Sequence, residues 1–302
     1  MINKITIPAM TLFYSRFSLI ILFLITGYPS HATSYLEDFS DLKLMEILED
    51  QKELFQEDSI LSDDELSQKA IRILNRYEDF LSQSPNNLNA LILYGKFLLQ
   101  VGERDQAIKI FFKANQIDPN IAFLKQAIGN YLVESTKPVD AFAFFLEATR
   151  LDPEEPLYHF NLGNFIYLFR EELTHIEASE KLGFLMHESF KEATNLDPDN
   201  FDFHLRFAQS FFDFENTLHQ EALNSWDQLI HVFGKRTTRE LDYIKVCKAR
   251  VLLAMKDYDE AIHQLSSVQS EALEAKKSLL LERAIQGKSG VTAKNVEQNK
   301  TL

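Results

Sequence analysis

Residues 88–121 read LNALILYGKFLLQVGERDQAIKIFFKANQIDPNI, and residues 122–155 read AFLKQAIGNYLVESTKPVDAFAFFLEATRLDPEE. Laid over one another, these two stretches of 34 residues agree wherever side-chain size matters. Gly95 answers Gly129, Ala107 answers Ala141, Phe111 answers Phe145, Ala114 answers Ala148, and Ile117-Asp118-Pro119 answers Leu151-Asp152-Pro153. A 34-residue period marks a stacked helix-turn-helix array. Two antiparallel helices approach closely only where side chains are small. The pattern therefore predicts the glycine of the first helix opposite the alanine of the second, with the phenylalanine filling the wedge beside them. The proline ends the second helix and opens the turn to the next pair. One pair cannot bury its apolar face alone, so pairs stack.

The period extends in both directions. Pro85, Pro119, Pro153 and Pro198 stand 34, 34 and 45 residues apart. A third unit, 156–200, keeps Leu162, Gly163, Phe190, Ala193 and Pro198, carries eleven extra residues, and has Met186 where the small alanine is expected. A fourth, about 201–236, keeps Ala208, Phe211, Ala222 and Trp226, and a fifth, about 239–268, keeps Ala249, Leu252, Ala261 and Leu265.

On these residues the chain resembles the tetratricopeptide repeat family. The resemblance implies an all-α, right-handed solenoid of helix pairs and a non-enzymatic protein-binding scaffold, and the first helix of each unit would line a concave groove. By repeat place, the lining residues are Phe123, Gln126 and Asn130 in the second unit and Phe160, Asn161, Asn164 and Tyr167 in the third. Arg206, Gln209 and Phe212 follow in the fourth, Tyr243 and Arg250 in the fifth. Aromatic area and amides that hydrogen-bond an extended backbone suit a peptide or protein segment. Some family members grip a chain-terminal carboxylate with two lysines, two asparagines and an arginine. Asn130, Asn161 and Arg206 match three of those places, while Gln126 and Asp202 stand where the lysines belong, and Asp202 would repel a carboxylate. The same asparagines also fit a role in helix packing and turns.

The eleven added residues fall near 170–180. Leu162, Ile166, Phe169 and Leu173 continue the apolar spacing into them, and Thr174 with Glu177 has the form of a capping box that starts a helix at about 175. The insertion is expected to lengthen both helices by ~8 Å each, with the turn at Leu173-Thr174. Phe184 and Leu185 either pack within the pair or form a second binding surface.

The flanks read as caps. Residues 33–87 form an acidic segment with a helix over about 41–56, Leu44, Leu48 and Phe55 on one face. A second helix opens on the capping box Ser62-x-x-Glu65 and continues with Ala70, Ile73, Tyr77 and Phe80. After the array of 88–268, residues 269–286 predict a closing helix, and Gly287-Lys-Ser-Gly290 with its polar sequel, 287–302, predicts a disordered tail.

Residues 1–32 carry Lys4 and Arg16, no acidic residue, the apolar run Phe17–Gly27, and then Ser30-His31-Ala32. That run is short for a spanning helix and right for a secretory signal, with cleavage expected after Ala32 and a periplasmic or secreted protein as the outcome. The alternative is a membrane-tethered accessory subunit of an export or envelope-polymer assembly machine, held by an uncleaved 17–27.

Composition narrows the chemistry. With 31 Lys+Arg against 45 Asp+Glu in 302 residues, the net charge of −14 repels nucleic acid and anionic lipid. Cys247 is the single cysteine, which excludes an internal disulfide and a multi-thiolate metal site, and its place in the fifth unit reads as core. Gly287-Lys-Ser-Gly290 lacks the first glycine of a phosphate loop, since residue 282 is Glu. His187-Glu188 lacks the second histidine of a zinc-protease motif. His159 and His204 occupy the same place in successive units, which is repeat geometry before it is a metal site. No catalytic residue, metal, cofactor or small-molecule substrate is expected.

Overall fold

The computed structural model describes residues 39–55, 62–214, 218–231 and 236–299. The expected signal segment, its expected cleavage point and residues 300–302 lie outside them. The chain divides into two compact units between Asp152 and Pro153.

The first unit holds α1 (Phe39–Leu54), α2 (Asp63–Gln83), α3 (Leu88–Gln100), α4 (Arg104–Ile117), α5 (Ala122–Glu134) and α6 (Pro138–Leu151). Each helix packs on the next. The capping box at Ser62 and Glu65 forms as expected, and Ala70, Ile73, Tyr77 and Phe80 are buried. In α1 the buried face is Leu44, Ile47 and Leu54, while Phe55 is largely exposed. The expected face through Phe55 is therefore rotated: its ring touches only the edge of Phe97, at 6.1 Å.

The second unit holds α7 (Pro156–Leu173), α8 (Ser179–Leu196), α9 (Phe201–Ser210), α10 (His219–His231), α11 (Thr238–Ala254), α12 (Tyr258–Ser266) and α13 (Glu274–Asn299). Successive helices pack as pairs, and α13 lies on both α11 and α12. Among the described residues there is no strand, and the elements are all helical.

At the repeated glycines the phenylalanine comes close, as the spacing predicts. A Cβ on Gly95 would lie 2.4 Å from Phe111, one on Gly129 3.2 Å from Phe145, and one on Gly163 2.7 Å from Phe190. The atoms nearest each glycine thus belong to the phenylalanine ring, which takes up the space where a side chain is missing. Ala107, Ala141 and Met186 are fully buried. The Asp-Pro phrase is a helix stop: the amides of Asp118, Asp152 and Asp197 donate to the carbonyls of Ala114, Ala148 and Ala193 at 3.0, 3.1 and 3.1 Å.

The turn inside three of the pairs also recurs. Glu103, Lys137 and Asp257 donate their amides to Leu98, Leu132 and Leu252, and the residue before each takes positive φ: Gly102 at 87°, Thr136 at 59° and Lys256 at 63°. This six-residue closure satisfies the last carbonyls of the first helix.

The third pair departs from it. Helices α7 and α8 are 18 residues each, against 13 and 14 for α5 and α6. The added length of five and four residues makes ~7 Å and ~6 Å. Phe169 has non-helical φ/ψ (−118°, 23°), so α7 kinks where the other units stop, and Arg170–Leu173 is one further turn. The expected box at Thr174 does not form. Thr174 stays helical and its hydroxyl donates to the Glu171 carbonyl, while Glu177 accepts the amide of Ala178. The turn is therefore 174–178, and α8 starts at Ser179. Phe184 is exposed and does not pack within the pair.

Helix α13 runs to Asn299. Gly287 is a packing glycine rather than a stop: a Cβ there would lie 2.3 Å from the Tyr258 ring, and Lys288 pairs with Asp259 beside it.

Candidate functional site

In the first unit the three nominated residues lie on α5. Phe123 packs edge-on against Phe111 at 5.4 Å, and Lys96 Nζ sits 4.5 Å from the centre of the Phe123 ring. Gln126 donates to Asn130 Oδ1 at 3.2 Å. Gln126 is only 1% exposed, which removes it from the open lining expected of it: on a helix this crowded its amide turns along the axis to its i+4 neighbour.

In the second unit the nominated residues converge on one side chain. Arg206 on α9 lies between two rings, 4.2 Å from the centre of Tyr167 and 4.6 Å from that of Phe190. Its Nε donates to Asn164 Oδ1 at 3.2 Å and its Nη1 to Gln209 Oε1 at 3.1 Å. Gln209 then donates to the Tyr243 hydroxyl at 3.1 Å, which links α9 to α11. Phe212 lies under the Arg250 guanidinium at 3.7 Å and stacks on Trp226 at 6.0 Å. Phe160 sits deeper, 4.6 Å from Phe203 and 5.8 Å from Phe190, and acts as a pillar rather than a rim. Asn161 is half-buried on the same helix.

The electrostatics are those of a partly dried pocket of charge. The Arg206 side chain is 17% exposed, and burial pulls its guanidinium down from the ordinary value against the pull of Asp213. Asp213 lies 4.0 Å away. Burial raises its carboxyl, while Arg206, Arg170 and Arg250 lower it in part. Sequence reasoning missed Asp213 and Arg170, because both reach the site from a turn and from the added helical turn. Burial also pushes the Tyr243 hydroxyl up to about 12. It raises the thiol of Cys247 too, which is fully buried one helical turn away, so this sulfur is the core residue its position suggested.

The two repeated histidines are explained without a metal. His159 Nε2 donates to the Pro153 carbonyl at 2.8 Å and His204 Nε2 to the Pro198 carbonyl at 3.0 Å. Each ring fastens the Asp-Pro turn that precedes its own helix.

No family model and no curated protein matches the chain. Among solved structures it is similar to YrrB, described as a TPR protein with an unusual peptide-binding site, with a TM-score of 0.52 and 14% identity, over 70% of this chain and 97% of that one. It is similar to Naa15/Naa10 bound to HypK-THB, with a TM-score of 0.55 and 12% identity, over 85% of this chain and 35% of that one. PilF of Pseudomonas aeruginosa gives a TM-score of 0.48 and 17% identity, over 82% of this chain and 97% of that one. The chain therefore has the all-α fold of tetratricopeptide-repeat proteins, a solenoid built of consecutive helix pairs.

Proposed function

We propose that this protein is an exported, non-enzymatic interaction scaffold, and that it takes a peptide or protein segment on the face of the second unit built by α7, α9 and α11. The observation that carries this reading is Tyr167. The residue is 47% exposed, yet the Arg206 guanidinium lies over its ring at 4.2 Å. A large aromatic that is both exposed and fixed is an anchor with little ordering cost left on binding. Asn164, Gln209 and Tyr243, linked through Arg206, add polar groups suited to a peptide backbone. YrrB, which shares the fold, is described as peptide-binding. The sequence of residues 1–32 supports export, with the periplasm or the exterior as the place of action.

The test is capture of a partner by cross-linking in the protein's own envelope. Tyr167→Ala should weaken capture by ~2 kcal/mol or more, as truncation of an aromatic anchor does, with helix content unchanged. Phe212→Ala should weaken it too, but Phe212 also packs on Trp226, so Tyr167 is the cleaner probe. Undiminished capture by a folded Tyr167→Ala protein would place binding elsewhere.

A further inference from the structure

His187 on α8 is 1% exposed. Its Nδ1 lies 2.7 Å from Ser210 Oγ, and Ser210 Oγ donates to the Phe207 carbonyl at 2.7 Å. With its own hydrogen committed to Phe207, the hydroxyl can only accept. Nδ1 therefore carries the imidazole hydrogen, and Nε2 is the bare nitrogen. Nε2 is buried and, among the described residues, has no hydrogen-bond partner. The ring is walled by Phe207, Phe211 and Phe214, with centroids at 5.0, 4.5 and 4.9 Å.

Two of those walls belong to the turn that follows α9. Between Phe211 and Phe214 stand Phe212 and Asp213, which face Arg250 and Arg206 in the candidate site. The turn is held by local bonds, from the Phe212 amide to Gln209 and from the Asp213 amide to Ser210, both at 2.9 Å. From α7, Arg170 donates to the Asp213 carbonyl. The packing is close enough to require Gly183, where a Cβ would meet Phe214 Cβ at 2.7 Å.

We propose that His187 is a positioning residue for the candidate site: as the neutral imidazole it holds the Phe211–Phe214 turn, and with it Phe212 and Asp213, in place, and in acid it lets the turn go. The proposal rests on the binding reading of this face, but the turn can be followed without any partner, so the two can fail separately.

Protonation would put an N–H on Nε2, where the neighbours are hydrocarbon rings. The imidazolium then gains solvent only by displacing the turn. Burial accordingly holds His187 down to about 4 from an ordinary 6.5. Among the described residues the charges that act on it are Glu221 on α10, which raises it, and Lys191 on α8, which lowers it; they pair with each other at 3.3 Å. Helix α9 presents Phe207 and Ser210. In the turn, the Asp213 carboxylate is directed to Arg206, and from α7 Arg170 is engaged by Ser179 and the Asp213 carbonyl. The sign follows. The closed turn is fully favoured above pH 6.5 and loses its advantage as pH falls from there through about 4. At pH 5 the open population should stand ~30-fold above its value at pH 7.5.

Hydrogen–deuterium exchange on the full chain tests this. After correction for the intrinsic pH dependence of exchange, protection of the Phe212 and Asp213 amides should fall ~30-fold from pH 7.5 to pH 5, while amides of α11 keep theirs. In His187→Gln and in His187→Phe, neither of which titrates, that local loss should vanish. Asp213→Asn should retain it, which separates the histidine from the nearby carboxyl. The proposal is overturned if the loss persists in both His187 variants, or if the wild-type protein shows none. Should the variants not fold, the ring-proton titration of His187 in the wild-type protein decides: a midpoint near 4 supports the proposal, and one at or above 6.5 overturns it.

Discussion

Asp242 shows how much one side chain can organise. It lies on α11, nearly fully buried, and its Oδ2 accepts the amides of Gln269 and Ser270 at 2.8 and 2.9 Å, while Lys245 reaches Oδ1 at 3.2 Å. Those residues lead into α13, so this carboxylate latches the closing helix to the fifth pair. Burial works to raise its carboxyl, but the two amides and Lys245 outweigh it and hold it below the ordinary carboxylate value. A depressed carboxyl contributes stability at neutral pH that disappears as pH falls through its folded value. Asp242→Ala should therefore cost ~2 kcal/mol at pH 7, the range for hydrogen bonds to a buried charge. The difference from wild type should shrink in acid, below about pH 4. Denaturant melts at pH 7 and pH 3.5 read both effects, and an equal cost at the two values would show that the charge is not what matters.

At the scale of helices, the glycine-to-ring contacts give a graded test of packing. A methyl on Gly163 would lie 2.7 Å from Phe190, and Phe190 is itself pinned by Phe160 and Arg206. At Gly129 the same methyl meets Phe145 at 3.2 Å, and a shift of a few tenths relieves it. Gly163→Ala should therefore destabilise by ~1–3 kcal/mol through overpacking. Gly129→Ala should be close to neutral, because the gain of ~1 kcal/mol in helix propensity offsets a mild contact. Thermal melts of the two variants compare them, and equal losses would mean that ring clearance does not set the cost. These contacts are also where the sequence was most legible. Gly95, Gly129 and Gly163, with the Asp-Pro stops at 118, 152 and 197, repeat because each serves its own pair, and such local rules survive in a linear reading. The kink at Phe169 and the unused box at Thr174 belong to an insertion that no other unit repeats, and the helical run beyond Gly287 has a partner far along the chain. Gly287 looks like a stop until Tyr258, 29 residues away, is placed against it. The candidate site divides in the same way. Tyr167, Asn164, Arg206, Gln209, Phe212, Tyr243 and Arg250 could be named from their repeat places, whereas Asp213, Arg170 and His187 enter through a turn and an insertion that no repeat dictates.

Across the whole molecule the excess of acid sets what can approach. The net charge is −14, which should keep anionic surfaces away at physiological ionic strength. In 150 mM salt the protein should not sediment with anionic vesicles and should pass unretained over heparin; retention on either would point to a basic face that the overall charge hides. Within the second unit lies a feature of practical use. Cys247 is the chain's single thiol, fully enclosed and kept protonated by burial, so the oxidising or reducing state of its surroundings leaves it untouched while α11 stays docked. An alkylating reagent added in excess therefore acts as a clock. It ticks each time α11 parts from its neighbours, and the labelling rate counts those excursions in a protein carrying no dye, no tag and no substitution.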